Sequence, residues 1–245
     1  MELNPRNLHV RFELCNVLER MGAYAKCSEQ LAALLDLKMQ LSDRLYAIYL
    51  RAQCLDRAGC HKECMKFCDG WLTVIDEQSK NVSIPEVCRV RLERVRTITT
   101  FDGFCFGASA DRHLDFPNVF KFFNEIVRNE QLREADDFYY LAMHYEWVGD
   151  FESAFNELAR AESLFPDHWR IPFRRACLLG QLGQQKAALE CAQTATTIAP
   201  WQRQAWAVLA TCLRQVGRES EARAASNRAA EIKKIRSQLT EQVEA

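Results

Sequence analysis

Glycine and proline are scarce in this chain, whose 245 residues include 9 glycines and 6 prolines. An all-β sandwich or barrel needs many tight turns, which these two residues usually supply, so their scarcity disfavours that class. The composition is 48% hydrophobic and 27% charged, which excludes disordered, collagen-like and low-complexity chains. The sequence therefore predicts a folded, all-α protein.

The sequence also lacks any run of 18 apolar residues, which argues against a membrane span. It contains 32 basic and 33 acidic residues, so no overall field attracts nucleic acid or an anionic membrane. The first residues lack the basic start and apolar stretch of a secretion signal. We therefore expect a cytoplasmic protein that binds neither nucleic acid nor membrane, with its eleven cysteines as mostly buried free thiols.

The chain repeats with a period of 34 residues. Gly149, Gly183 and Gly217 are spaced by 34, and so are Pro166 and Pro200. A glycine can end a helix in the left-handed conformation, and alanine lets two helices cross closely, so the pattern predicts pairs of antiparallel helices. Alanines recur seven residues before, five after and twelve after each glycine, at Ala142, Ala176, Ala210, Ala154, Ala188, Ala222, Ala161, Ala195 and Ala229.

This combination of period, glycine, small-residue and proline positions resembles the tetratricopeptide repeat, a helix-turn-helix unit that stacks into a right-handed superhelix. The copy from Phe138 to Pro166 matches nearly every signature position of that family. The resemblance implies a right-handed α-solenoid of antiparallel helix pairs. It also implies a non-catalytic scaffold, with no cofactor and no metal, that binds a peptide or helix of a protein partner in its concave groove.

The same offsets divide the chain into one solenoid domain of five recognisable repeats and one irregular helical pair. Two earlier copies surround Gly22 and Gly59, and cysteine replaces alanine at several of their small-residue positions. The irregular pair covers 85–132 and contains a long predicted connection at 101–115. The predicted repeats cover residues 8–41, 45–78, 135–168, 169–202 and 203–236, and a polar capping helix continues to about 243.

The first helix is predicted from Asn7 to Met21. Pro5 falls at the position where a repeat normally ends, so this helix would lack a preceding helix pair. Leu8 and Phe12 are the candidates for the apolar surface that this would leave exposed. We therefore expect the chain to self-associate or fray at this end.

A cysteine cluster carries the residue types of a metal site. Cys60, Cys64 and Cys68 lie beside His61 on one predicted helix. At a rise of 1.5 Å per residue, Cys60 and Cys68 are about 12 Å apart along the axis, too far for thiolates on one zinc ion. We expect these cysteines to pack as small hydrophobic residues.

The 101–115 connection carries the residue types of a hydrolytic site, because a Cys-His or Ser-His-Asp arrangement can be written from them. Neither arrangement has a recognisable motif around it. We expect a packed connection or a binding loop, with catalysis as a remote third hypothesis. The residues concerned are Cys105, Ser109, Asp111, His113 and Asp115.

We expect a partner to bind on the first helices of the last three repeats, because these helices line the groove in the family that the chain resembles. Tyr, Met, Trp and Arg dominate interface energies, and here they lie where an acidic repeat meets a basic one. The predicted partner-binding residues are Tyr139, Met143, Trp147, Arg170, Phe173 and Arg174.

The expected ligand has an apolar anchor, which would meet Tyr139 and Met143, and an acidic flank, which would meet the two arginines. The alternative is that Arg170 and Arg174 pair with acids of their own chain, such as Asp136 or Asp167. Both interpretations stay open at the level of sequence.

A second class of function is an accessory or regulatory region of a larger multidomain protein, such as a transferase. Repeats of this type are often attached to catalytic modules, and the first residues resemble the tail of an absent repeat. A longer reading frame upstream would favour this class. Turnover that is lost on substitution of Cys105 or His113 would instead favour catalysis at the 101–115 connection.

Overall fold

A computed structural model of the chain describes residues 7–106 and 116–244. All the regular elements in these ranges are α-helices, so the predicted all-α class is confirmed. No helix in the same ranges is both long and apolar enough to cross a membrane. The helices are α1 Leu8–Met21, α2 Tyr24–Leu35, α3 Leu41–Arg57, α4 His61–Gln78, α5 Glu86–Phe106, α6 Phe116–Ile126, α7 Ala135–Trp147, α8 Phe151–Leu164, α9 Arg170–Gln181, α10 Gln185–Ile198, α11 Arg203–Gln215 and α12 Glu219–Glu244.

The helices form two compact units, which divide after Val119 within α6. In the first unit, α3 packs against α2, α4 and α5. In the second unit, α9 packs against α7, α8, α10 and α11. First helices therefore lie side by side at α3 and α5 in the first unit and at α7, α9 and α11 in the second. The second helices α2, α4, α8 and α10 pack against them, which is the helix arrangement of an α-solenoid.

The repeat glycines form the turns between paired helices. Each stands one or two residues after the last helical residue of α1, α3, α7, α9 or α11. Their φ angles lie between 73° and 81°, and no other described residue has a positive φ. At Gly22 the N–H donates to the Glu19 carbonyl at 2.9 Å, and the Ala23 N–H donates to the Leu18 carbonyl at 2.9 Å, as in a Schellman motif. The predicted role of these glycines is confirmed.

Two glycines offer a matched test of this backbone requirement. Gly183 has a φ of 73°, and no described atom lies within 4 Å of the position that a Cβ would occupy. Gly183→Ala should therefore destabilise the protein through backbone strain alone, by about 1–2 kcal/mol. Gly70, inside α4, also has no described atom within 4 Å of its Cβ position.

Gly70→Ala should stabilise the protein by about 0.5–1 kcal/mol, because alanine loses less entropy than glycine in a helix. Urea unfolding of both variants measures these opposite signs. Equal effects of the two substitutions would contradict the assignment of the left-handed turn.

The alanines in register line the helix crossings. All of them are buried, with exposures between 0% and 8%. Close crossings explain why no larger side chain occupies these positions. The predicted residues confirmed here are Ala142, Ala154, Ala161, Ala176, Ala188, Ala195, Ala210, Ala222 and Ala229.

Cysteine takes the place of alanine in the first two repeats and adds a hydrogen bond. The Cys27 Sγ donates to the carbonyl of Cys15 at 3.3 Å, and the Cys64 Sγ donates to the carbonyl of Ala52 at 3.3 Å. Each bond joins a second helix to the backbone of its first helix across the crossing. Six of the ten cysteines whose side chains are described are buried, namely Cys15, Cys27, Cys54, Cys64, Cys68 and Cys212.

The predicted connection at 101–115 begins too early. Helix α5 continues through Asp102 and Gly103 to Phe106, so the helix has 21 residues. Residues 107–115 lie outside the described part of the chain. The second helix of this pair, α6, follows the predicted connection and lies within the predicted range 85–132.

The first helix forms where it was predicted, but its exposed residues are different. Asn7 caps it by accepting hydrogen bonds from the N–H groups of His9 and Val10. The prediction that Leu8 and Phe12 are exposed is wrong, because both are half-buried against the core of the first unit. Leu14 and Val17 are exposed instead. Self-association at this end stays a prediction.

Candidate partner-binding surface

The predicted partner-binding residues lie on two helices of the second unit that pack directly against each other, α7 and α9. On α7 they are four residues apart, a spacing that places side chains on one helix face. Trp147 is 61% exposed, and the others are half-buried. We call this set the α7–α9 surface; it consists of Tyr139, Met143, Trp147, Arg170, Phe173 and Arg174.

Tyr139 lies close to two arginines of the neighbouring helix. The Arg170 Cζ is 5.5 Å and the Arg174 Cζ is 5.9 Å from the centroid of its ring. Each guanidinium is within cation–π distance of the ring. The ring of Tyr140 meets that of Tyr139 edge-on, with 5.2 Å between centroids. Tyr139 is therefore positioned by contacts on both helices.

Both arginines form ion pairs with acids of α7. The Arg170 Nη1 is 3.0 Å from the Asp136 Oδ2, and the Arg174 Nη2 pairs with the Glu146 Oε2. Asp136 was one of the two acids considered from the sequence, whereas Asp167 does not take this role. Asp136 and Arg170 are 34 residues apart and so occupy the same position in successive repeats.

The pair between Arg174 and Glu146 is the more buried of the two. The side chains are 15% and 12% exposed, compared with 31% and 27% for Arg170 and Asp136. The Gln181 Nε2 also donates to the Glu146 Oε1 at 2.9 Å. One carboxylate of α7 therefore binds two side chains of α9, which fixes the relative position of the two helices.

The charge on Arg170 is secure at neutral pH. Burial is the largest single effect and lowers its pKa, but the Asp136 carboxylate, its hydrogen bond and the neighbouring Tyr140 and Tyr139 together raise the pKa above the usual value. The His168 Nε2 is 3.5 Å from the Asp136 Oδ1. Burial lowers the pKa of His168 and the Asp136 carboxylate only partly opposes it, so His168 is neutral at pH 7. The acids of α7 thus balance the two arginines of the surface.

Trp169 also belongs to this region, although the repeat register did not predict it. Its ring meets Phe173 edge-on with 5.4 Å between centroids, and the Arg170 Cζ is 5.9 Å from the Trp169 ring. Trp169 immediately precedes α9, where the repeat register does not define a groove position. Trp169 lies directly before Arg170 and four residues before Phe173, and both are predicted partner-binding residues. That position could have identified Trp169 from the sequence.

The α7–α9 surface offers aromatic rings, a thioether and guanidinium groups that are already paired, which suits non-covalent contact with another chain. Among the described residues, no group of three His, Cys, Asp or Glu side chains is arranged to hold a metal ion. Of the residues that suggested catalysis, Cys105 falls in the last turn of α5, and the other four lie outside the described part of the chain: Ser109, Asp111, His113 and Asp115.

No protein-family model and no curated protein matches the chain. Among solved structures, "Crystal structure of MamA" is similar at 15% identity and a TM-score of 0.47, covering 82% of this chain and 99% of that chain. "Crystal structure of MamA protein" has 15% identity and a TM-score of 0.46, covering 79% and 94%. "MamA MSR-1 C2" has 16% identity and a TM-score of 0.43, covering 78% and 97%.

Proposed function

We propose that this chain is a tetratricopeptide-type scaffold that binds a protein partner at the α7–α9 surface and catalyses no reaction. The 34-residue period, the left-handed glycines and the buried alanines support the repeat type. The observation that carries the binding site is the exposure of Trp147, at 61%. Tryptophan is the residue type most enriched among interface hot spots, and its burial by a partner removes a large apolar area from water.

The proposed ligand is a short extended or helical segment with an apolar anchor. Tyr139 and Met143 are half-buried and share one face of α7 with Trp147 through their four-residue spacing, and Phe173 is half-buried on the neighbouring α9. Because Asp136 and Glu146 already balance the two arginines, an acidic flank on the ligand adds orientation rather than most of the affinity. The apolar contacts supply the larger share of the binding energy.

A pair of tryptophans tests this site. Trp147 and Trp201 belong to the same unit and are 61% and 60% exposed, but Trp201 precedes α11 and is not part of the α7–α9 surface. Peptides selected from a displayed random library on the folded protein provide the ligands. Trp147→Ala should weaken their binding by about 2 kcal/mol, or roughly thirtyfold, as expected for a hot spot.

Trp201→Ala is the matched control and should change the affinity less than twofold, an effect of about 0.4 kcal/mol or below. Fluorescence anisotropy of the labelled peptides measures both variants. Selected peptides that bind the Trp147→Ala protein as tightly as the unaltered protein would remove the α7–α9 surface from consideration.

A further inference from the structure

Helix α1 exposes apolar side chains at repeat positions that are buried in the second unit. Leu14 and Val17 stand eight and five residues before Gly22, and they are 44% and 50% exposed. At the same distances from the glycines of the second unit, every apolar side chain is buried. These buried residues are Leu141, Leu178, Leu209 and Cys212.

The second unit shows what covers these positions. Helix α11 packs against α9 and α10, which form the preceding helix pair. Leu209 and Cys212 of α11 belong to one core cluster with Leu189 and Ala192 of α10. Leu14 and Val17 therefore occupy the positions that a preceding helix pair covers.

One register position carries a charge that reaches from each first helix to the next. Glu19 and Glu146 both stand three residues before their repeat glycine. Glu19 pairs with Arg57 of α3, and Glu146 pairs with Arg174 of α9. The residue three before the glycine therefore faces the following first helix in both units.

Arg214 holds this position on α11, the last first helix that the structure describes. It is exposed, and its Nη2 donates to the Ser226 Oγ at 3.5 Å. No acidic side chain of the described ranges pairs with it. Glu13 on α1 stands nine residues before its glycine, as Arg174 does on α9. Glu13 is also exposed, and its Oε1 accepts from the Asn16 Nδ2 at 3.5 Å.

Arg214 and Glu13 thus complement each other in the way that Glu146 and Arg174 do, with the two charges exchanged. Because they lie on the last and the first of the described first helices, two copies of the chain can bring them together. Charge complementarity and the exposed apolar positions of α1 therefore select the same occupant, a second copy of this chain.

We propose that the chain associates head to tail, with α1 of one molecule packed against α11 and α12 of the next, as α11 packs against α9 and α10 within the chain. Leu14 and Val17 are covered in this contact, and Glu13 pairs with Arg214. The two contacting surfaces differ, so a third copy can add in the same way. This interaction goes beyond the function proposed above, because it uses no residue of the α7–α9 surface.

The association is weak, because α12 offers fewer apolar groups than α10 does. The positions of Leu189 and Ala192 on α10 correspond to Arg223 and Ser226 on α12. A small apolar contact leaves little surplus after the entropy cost of association, so we expect a dissociation constant in the micromolar range. The ion pair sets the register of the two molecules.

Sedimentation velocity of the unaltered protein, between about 5 and 500 µM, measures this association. The average mass should rise with concentration. Glu13→Arg and Arg214→Glu should each weaken the association by at least about fivefold, because like charges then meet at the contact. An equimolar mixture of the two variants should restore it to within about twofold, since each variant supplies the charge that the other lacks.

Three further variants separate this contact from general effects of charge and from the α7–α9 surface. Glu190→Arg reverses an exposed acid of α10 and should leave the association unchanged. The double variant Leu14→Gln/Val17→Gln should weaken it by at least about tenfold, because it removes the apolar contact. Trp147→Ala should associate like the unaltered protein.

A strictly monomeric protein over the whole concentration range would overturn the proposal. So would an association that Glu13→Arg leaves unchanged, or one that the mixture of the two charge variants does not restore. Restoration by the mixture requires both variants to be folded, so a folding defect cannot imitate the expected result. None of these outcomes affects the proposal for the α7–α9 surface, which is tested by peptide binding and by Trp147.

Discussion

Arg174→Met should destabilise the protein by about 3–5 kcal/mol, because it leaves the buried Glu146 carboxylate without its cationic partner. Both side chains of this pair are largely buried, at 15% and 12% exposed. Gln181 would still donate one hydrogen bond to Glu146, but an amide does not compensate a desolvated negative charge. Urea unfolding followed by circular dichroism measures the loss.

Two controls separate the buried charge from other consequences of losing an arginine. The double variant Arg174→Met/Glu146→Leu should recover most of the stability, because apolar replacement of both partners is often neutral. Arg218→Met removes an exposed ion pair with Glu221 and should give no resolvable change. A single variant at Arg174 that is as stable as the double variant would show that Glu146 is solvated, contrary to its position in the structure.

The helix pairs could be predicted from the sequence because their determinants are local and repeated. A glycine such as Gly183 needs a positive φ, and an alanine such as Ala188 needs a close crossing, whatever the rest of the chain does. A 34-residue register repeats both requirements, so one copy supports the interpretation of the next. These constraints determine the backbone of each helix pair and the burial of the residues where its two helices cross.

The same local rules were insufficient at α1 and α5. Leu8 and Phe12 have helical spacing, but so do Leu14 and Val17, and periodicity alone does not decide which pair faces the core. Packing of α1 in the first unit places the first pair, half-buried, against the core. The connection after α5 was predicted to begin at residue 101, yet the helix continues through Gly103 to Phe106, because glycine only weakens a helix and neighbouring residues can maintain it.

The sequence was sufficient to predict which helices carry the residues of the α7–α9 surface, but not all of the ion pairs that its arginines form. The repeat register correctly places Tyr139 on α7 and Arg170 and Arg174 on α9. Asp136 and Arg170 share a register position, so their ion pair could have been predicted. Glu146 and Arg174 are 28 residues apart and do not share one, so their pairing depends on how far two long side chains reach. Side-chain reach is a property of the packed helices and not of the repeat.

Phe138→Ala should destabilise the protein by about 3–5 kcal/mol, the range found when a buried phenylalanine is truncated to alanine. Phe138 is completely buried on α7. Its ring centroid is 6.0 Å from that of Phe165, and the Arg160 Cζ is 5.3 Å from the ring. The truncation leaves a cavity under the helix that carries Tyr139, and it removes the ring that these two side chains contact.

Phe138→Leu is the matched variant, and it should cost only about 1–1.5 kcal/mol because it retains most of the buried volume. Hydrogen exchange should show that Phe138→Ala removes protection first in α7 and α8, since stability in stacked repeats depends on each helix pair and its immediate neighbours. Binding of peptides that depend on Trp147 should weaken with Phe138→Ala and be largely retained with Phe138→Leu. An alanine variant that unfolds at the same urea concentration as the leucine variant would mean that α7 is not anchored by this ring.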